Sequence, residues 1–349
     1  MEFTKERTNI AKGLAILLML SHHLYSFHDR LLNGNYYIPL IPSFDTELYI
    51  GNFGNVCISM FLFLSGYGMF LGYSHSNKSS LQYSLGKLKD FYLTYWIYFL
   101  IFVPIGLIFF KDETLWNSNE IRYSIDLRIF LEGFFGWSPR YNGEWWFVHT
   151  FVLLILFLSP LYLRLVRKKS ILLCLISISL FLISLILKVN YSGIYSFIFW
   201  QISFTVGLIC ANSNFFSGRL SQRLESFRGC WKVALCTLVI LIFFVSRLRF
   251  GAKVDFIFIA IFIYSAVTII DILRLSKMFA YFGKYSFPMW LVHSFFCYYY
   301  LQNFIYLPRW SPLIFTLLVS TTLLSVILIE NTRLYVQNRL NHRRFFPKG

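Results

Sequence analysis

The chain has 349 residues, of which 57% are hydrophobic and only 14% charged, with a formal net charge of +16; its mean hydropathy is +0.60. A soluble domain carries about 25% charged residues, so the composition excludes one and points to an integral membrane protein. The cations sit at the ends of apolar runs rather than on one basic face with interleaved aromatics, which argues against nucleic acid as a partner.

Ten apolar runs are each long enough to cross a bilayer as a helix, at about 10–27, 52–73, 91–110, 145–163, 171–188, 193–211, 232–248, 254–271, 285–304 and 312–330. The first follows Lys5, Arg7 and Lys12 and continues through Ser21-His22-His23-Leu24-Tyr25 without a small-x-small cleavage site. It reads as a retained span, not a signal peptide. Short connectors make the fifth with the sixth, and the seventh with the eighth, tight hairpins. Pro288 and His293 interrupt the ninth run, where a proline needs neighbouring helices to satisfy the freed carbonyl.

With the N-terminus inside, 22 of the 32 Lys and Arg fall in inner segments, among them Arg219, Arg223 and Arg228 and, at the end, Arg343, Arg344 and Lys348. That is the positive-inside pattern. The expected fold is therefore an all-α integral membrane protein: a bundle of about ten transmembrane helices with both termini cytoplasmic. Residues 1–331 form the membrane domain and 332–349 a basic cytoplasmic tail suited to anionic headgroups. The two long outer segments, about 28–51 and 111–144, hold Asp29, Asp45 and Glu47 with Pro39 and Pro42, and then six acids with Trp116 and Trp137. Six cysteines lie in or beside apolar runs with neither C-x-x-C nor metal-ligand spacing, as small buried hydrophobes do.

Chemistry concentrates in the first run. Lys12 and His23 are eleven residues apart, close to three helical turns, so they share a stripe and stand about 16 Å apart. A mid-span histidine is costly and usually faces a bundle interior or a wet cavity. There it serves as a general base or proton relay, or as a hydrogen bond between helices. Lys12 reads either as a snorkelling headgroup lysine or as a point charge for phosphate entering from the cytosolic side. His22, about 100° around the helix, reads as support for His23. Glu144 opens the fourth run beside Trp145 and Trp146; acid plus indole makes a sugar platform, while interfacial tryptophan also forms the ordinary aromatic belt.

These residues carry a resemblance. Lys12-Gly13-Leu14-Ala15-Ile16 followed by His22-His23 resembles the first-helix pattern of the acyltransferase-3 family: a basic residue, ten residues, then histidine. Met60–Tyr67 closes in Ser-Gly-aromatic like the family's second helix, and Leu88–Trp96 resembles its basic entry to the third. Glu144–Val148 with Leu158-Ser159-Pro160-Leu161 resembles the fourth, and Tyr285–His293 the late Ser-Tyr-Ser…His phrase. Two positions depart: Lys12 replaces the usual arginine, losing the bidentate fork, and Lys87-Leu88-Lys89-Asp90 stands where Arg-x-x-Arg is usual, with Lys89 as the substitute cation.

The resemblance implies a multi-pass enzyme of a bacterial cytoplasmic membrane. Such an enzyme takes an acyl group, usually acetyl, from cytoplasmic acyl-CoA and delivers it to a sugar hydroxyl of a surface polysaccharide or its lipid-linked precursor. It implies acetyl-CoA as co-substrate with no tightly bound cofactor, His23 and His22 as catalytic groups, and His23 as base in preference to a covalent acyl carrier. Lys12, Lys87 and Lys89 are then expected to bind acyl-CoA, and Glu144, Trp145 and Trp146 the acceptor. The alternatives are a glycan polymerase or flippase, and a transporter using His23 as proton relay. The Lys12…His23 register weighs against the first. The absence of paired mid-span carboxylates and of paired broken helices weighs against the second.

Overall fold

The computed structural model describes residues 3–345 except positions 33, 42, 117, 219–221, 223–225 and 228, with side chains to residue 339. Pro42, Arg219, Arg223, Arg228 and Lys348, and the side chains of Arg343 and Arg344, lie outside what it describes. Among the described residues the architecture is all-helical. Apolar chain surrounded by lipid has no water to satisfy its amides, and the helix satisfies them internally.

In chain order the helices are α1 (Lys5–Tyr25), α2 (Thr46–Gly54), α3 (Cys57–Ser74), α4 (Ser80–Phe109), α5 (Leu127–Phe134), α6 (Gly143–Lys168), α7 (Ser170–Ile186) and α8 (Ser196–Asn212). They continue with α9 (Cys230–Phe250), α10 (Asp255–Ile272), α11 (Ser276–Lys284), α12 (Ser286–Ser294), α13 (Gln302–Ile305) and α14 (Ser311–Phe345). Among the described residues five stretches are long and apolar enough to cross a membrane: Thr46–Ser74, Ser80–Phe109, Gly143–Lys168, Cys230–Ile272 and Ser311–Arg339. The fourth of these is the α9–α10 hairpin, turned at Gly251–Val254 and closed by Phe243 against Phe258 and Phe262. The shorter α7 and α8 are also apolar. Asn9, Lys12, His22 and His23 lower the hydropathy of α1 and keep it out of that set.

α1 is nevertheless the centre of the bundle, packed by α2, α3, α10, α11, α12 and α14. Glycines permit the closest crossings. A Cβ on Gly13 would lie 1.9 Å from the Phe279 carbonyl oxygen and one on Gly283 1.8 Å from that of Asn9, so α1 and α11 meet backbone to backbone. α3 and α8 do the same, with Gly66 against Phe204 and Gly207 against Phe63, each at 2.1 Å. Small residues of this kind are how helices in lipid gain van der Waals contact. Large apolar side chains on α7 and α9, such as Ile171, Ile186, Leu241 and Val245, stay exposed on the outside of the bundle.

A helix break falls at the start of the ninth run. α11 ends at Lys284 and α12 starts at Ser286, so Pro288 occupies the first turn of α12. Its missing N–H has no intrahelical partner to lose there, and the Gly283 carbonyl is taken by the Ser286 hydroxyl at 2.9 Å. Two π-turns follow a related logic. Leu154–Leu158 in α6 precedes Pro160, whose ring would crowd a regular turn. Phe295–Tyr299 extends α12 and carries two site tyrosines, and π-turns frequently mark functional positions. α14 passes without interruption from the last apolar run into the basic tail.

Candidate active site

α1 lines one wall of a cavity of about 820 Å³ with Lys12 towards one end and His22 and His23 towards the other. α2, α3, α4, α6, α8, α9 and α12 also contribute to its walls. The tight α1–α2 approach sets the histidines: Gly54 leaves room for the Leu18 carbonyl, and His22 Nδ1 lies 2.9 Å from the Gly51 carbonyl oxygen and 3.0 Å from Ser26 Oγ. A carbonyl only accepts, so His22 Nδ1 carries the proton and Nε2 is left as an acceptor.

His23 is held differently. The Tyr298 hydroxyl donates to the backbone carbonyl of His23 at 2.5 Å and lies 3.3 Å from its Nδ1. The phenol has one proton, already directed to the carbonyl, so at Nδ1 its oxygen is the acceptor and Nδ1–H the donor. Nε2 then bears the lone pair, and it faces the Glu144 carboxylate at 3.4 Å. Glu144 is fixed from its other side, with Oε1 accepting from Arg30 Nη1 at 2.7 Å. The Glu144 backbone N–H donates to Asn142 Oδ1 at 3.0 Å, which pins the turn that starts α6.

Arg30 is clamped by aromatic faces, 3.9 Å from the Phe27 ring centre, 5.0 Å from Trp116 and 5.3 Å from Tyr298. Arg122, buried, lies 4.3 Å over Tyr299 and 5.2 Å from Trp116. Guanidinium–aromatic pairs gain strength when water is excluded; here they hold the segment between α4 and α5 down over the Arg30 end of the site. His293 completes the centre, its ring 4.8 Å from that of His23 and its Nδ1 donating to the Trp290 carbonyl at 2.7 Å.

The arrangement thus provides an imidazole lone pair inside a cavity, a carboxyl group beside it to stabilise the imidazolium, and an arginine that holds that carboxyl group in place. Such a set accepts a proton from a hydroxyl and returns it to a leaving group. Of the residues expected from sequence, Lys12, His22, His23, Glu144 and Trp146 line this one cavity. Trp145 does not: it is buried among Tyr95, Phe99 and Phe295, with its indole N–H donating to the Leu291 carbonyl at 3.0 Å. Lys87 and Lys89 are exposed on α4 and stand outside the cavity wall, although the charge of Lys87 reaches Lys12. Sequence reasoning missed Arg30, Tyr298, Asn55 and the buried Arg247–Asp255 pair.

The acyltransferase-3 family, described as an acyltransferase domain, matches residues 7–330. No curated protein and no solved structure matches the chain. The matched span takes in every side chain just described, from Lys12 and His23 on α1 to Tyr298 beyond α12. The chain belongs to the acyltransferase-3 family and is a membrane acyltransferase.

Proposed function

We propose that the protein transfers an acetyl group from cytoplasmic acetyl-CoA to a sugar hydroxyl of a cell-surface polysaccharide or its lipid-linked precursor, in a bacterial cytoplasmic membrane. The observation that carries this reading is the single cavity shared by Lys12 and His23. The bias of Lys and Arg towards alternate connectors supports about ten spans with both termini inside. Lys12 then belongs to the cytoplasmic end and Arg30 to the outer one.

The phosphates of CoA engage Lys12, with Lys87 adding charge at the mouth, and the thioester arm runs along α1 towards His23. His23 Nε2 takes the acceptor hydroxyl's proton as its oxygen attacks the thioester carbonyl. The new C–O bond forms, the C–S bond breaks, and the imidazolium returns the proton to the departing thiolate. Glu144 stabilises the imidazolium between those two events.

The test is incorporation of [14C]acetyl-CoA into inverted membrane vesicles. Wild-type vesicles are expected to place alkali-labile label on envelope glycan, and vesicles from a deletion strain to place none; equal labelling would refute the reading. Lys12→Ala should raise the KM for acetyl-CoA about tenfold, the scale of one charge-assisted phosphate contact. An unaltered KM would remove Lys12 from the donor site.

A further inference from the structure

The cavity has a wall that the chemistry at His23 leaves unused. Asn52 and Asn55, three residues apart at the end of α2, both line it, as do Tyr191, Trp200 and Arg247. Residues three apart in a helix share a face. Asn55 Oδ1 is buried and meets no hydrogen-bond donor among the described residues. An amide leaves such an atom unpaired only at a cost unless a ligand completes it.

The cation on this wall is paired with a carboxylate. Arg247 Nε and Nη2 donate to Asp255 at 2.8 and 3.2 Å, and Nη1 donates to the carbonyls of Asn52 and Phe53. Four of its five N–H bonds are taken, and its charge is balanced by the Asp255 carboxylate. The indole of Trp200 is fixed by its N–H donating to the Tyr191 carbonyl at 2.9 Å, with the two rings 6.1 Å apart. His22 Nε2 is a lone-pair acceptor because Nδ1–H serves Gly51. The wall therefore combines uncharged amides, an imidazole acceptor and aromatic faces, and it holds no free positive charge. Amides and imidazole pair with hydroxyls, and aromatic faces cover the C–H side of a ring.

We propose that the wall formed by Asn52, Asn55, His22, Tyr191 and Trp200 is the acceptor subsite, and that it takes a neutral, hydroxyl-rich ring. This rests on the acyl-transfer reading and adds the charge class of the acceptor. A sugar seated on this wall presents a hydroxyl to His23 on the next position of α1. With the wall impaired, water reaches the thioester in its place, so acetate is released and ester formation falls.

The partition of label reads this out. Inverted vesicles receiving [14C]acetyl-CoA are scored for soluble acetate and for alkali-labile ester on envelope glycan, with protein quantified by immunoblot. Asn55→Leu is expected to raise the acetate-to-ester ratio at least tenfold. Asn55→Asp, which keeps an acceptor oxygen at the Oδ1 position, should raise it less. Tyr191→Leu, at a half-exposed position tolerant of change, should shift the ratio in the same direction and is decisive if Asn55→Leu fails to accumulate. An unchanged ratio in these variants overturns the subsite. An Asn55→Asp ratio above that of Asn55→Leu overturns the neutral class and assigns an anionic acceptor. Absence of ester label with wild type refutes the acyl-transfer reading itself, which separates the two failures.

Discussion

His23→Ala is expected to lower acyl transfer by about 10²- to 10⁴-fold, the range for losing a positioned general base. The measurement is initial rate of label transfer from [14C]acetyl-CoA at matched protein levels. Three features make the loss this large. Nε2 of His23 is the lone-pair nitrogen because Nδ1–H is directed to Tyr298. Glu144 stands 3.4 Å from it, and Arg30 fixes that carboxylate at 2.7 Å. Of the three clustered imidazoles, His23 is the one that stands within 4 Å of a carboxylate among the described residues. Tyr298→Phe offers a finer measurement. It removes the hydroxyl that selects the tautomer, so kcat should fall about tenfold and the acidic limb of the pH–rate profile should move, while the KM for acetyl-CoA stays within a factor of two. A parallel change in kcat and KM would assign Tyr298 to packing alone. Activity retained in His23→Ala would remove the imidazole from the chemistry.

Asp255→Ala should produce the largest loss of stability, about 3–5 kcal/mol, as when one member of a buried ion pair is removed. Asp255 is 1% exposed and Arg247 6%. Asp255 accepts from Arg247 and from the Ser59 hydroxyl at 2.6 Å, and so ties the α9–α10 hairpin to α3. Arg247 in turn reaches the carbonyls that end α2. Truncating the acid leaves a guanidinium buried without its counter-charge. The double replacement Arg247→Leu/Asp255→Leu should recover most of the loss, because well-packed apolar residues replace a buried pair at little cost. Thermal unfolding of the detergent-solubilised protein checks both variants. A double variant no better than Asp255→Ala would mean that the Arg247 contacts to α2, not charge compensation, hold the hairpin.

Much of this site was legible from spacing alone. The interval from Lys12 to His23 fixed their shared stripe, and one cavity receives both. Glu144 was legible as an acid opening an apolar run. Its neighbours were less so: Trp145 and Trp146 point about 100° apart on a helix, and only packing shows that Trp146 faces the cavity while Trp145 turns to Leu291. Arg30, Arg122 and Arg247 left a signal that went unread. They belong to the ten Lys and Arg that the charge-bias reading leaves outside its inner segments, and a cation that departs from such a bias has a local reason to do so. Tyr298 left none, being one of 23 tyrosines whose role depends on a π-turn meeting α1. The break before α12 was readable, since Ser286-Phe287-Pro288 suits a helix start better than a helix middle. Each of the ten runs overlaps a helix, but the runs passed over α5 and α11, and among the described residues five stretches are long and apolar enough to cross a membrane.

The matching of acid to base around the cavity also sets how a membrane voltage acts on the protein. Glu144 is balanced by Arg30 and Asp255 by Arg247, so neither pair adds net charge at membrane depth. Moving one elementary charge across a membrane changes free energy by about 2.3 kcal/mol per 100 mV. An acyl group that arrives as a neutral thioester and leaves as a neutral ester moves no such charge. Turnover should therefore run at the same rate in energised and uncoupled vesicles, a comparison that a protonophore makes directly. Delivery across the membrane would then be driven by the thioester alone and carry no electrical cost.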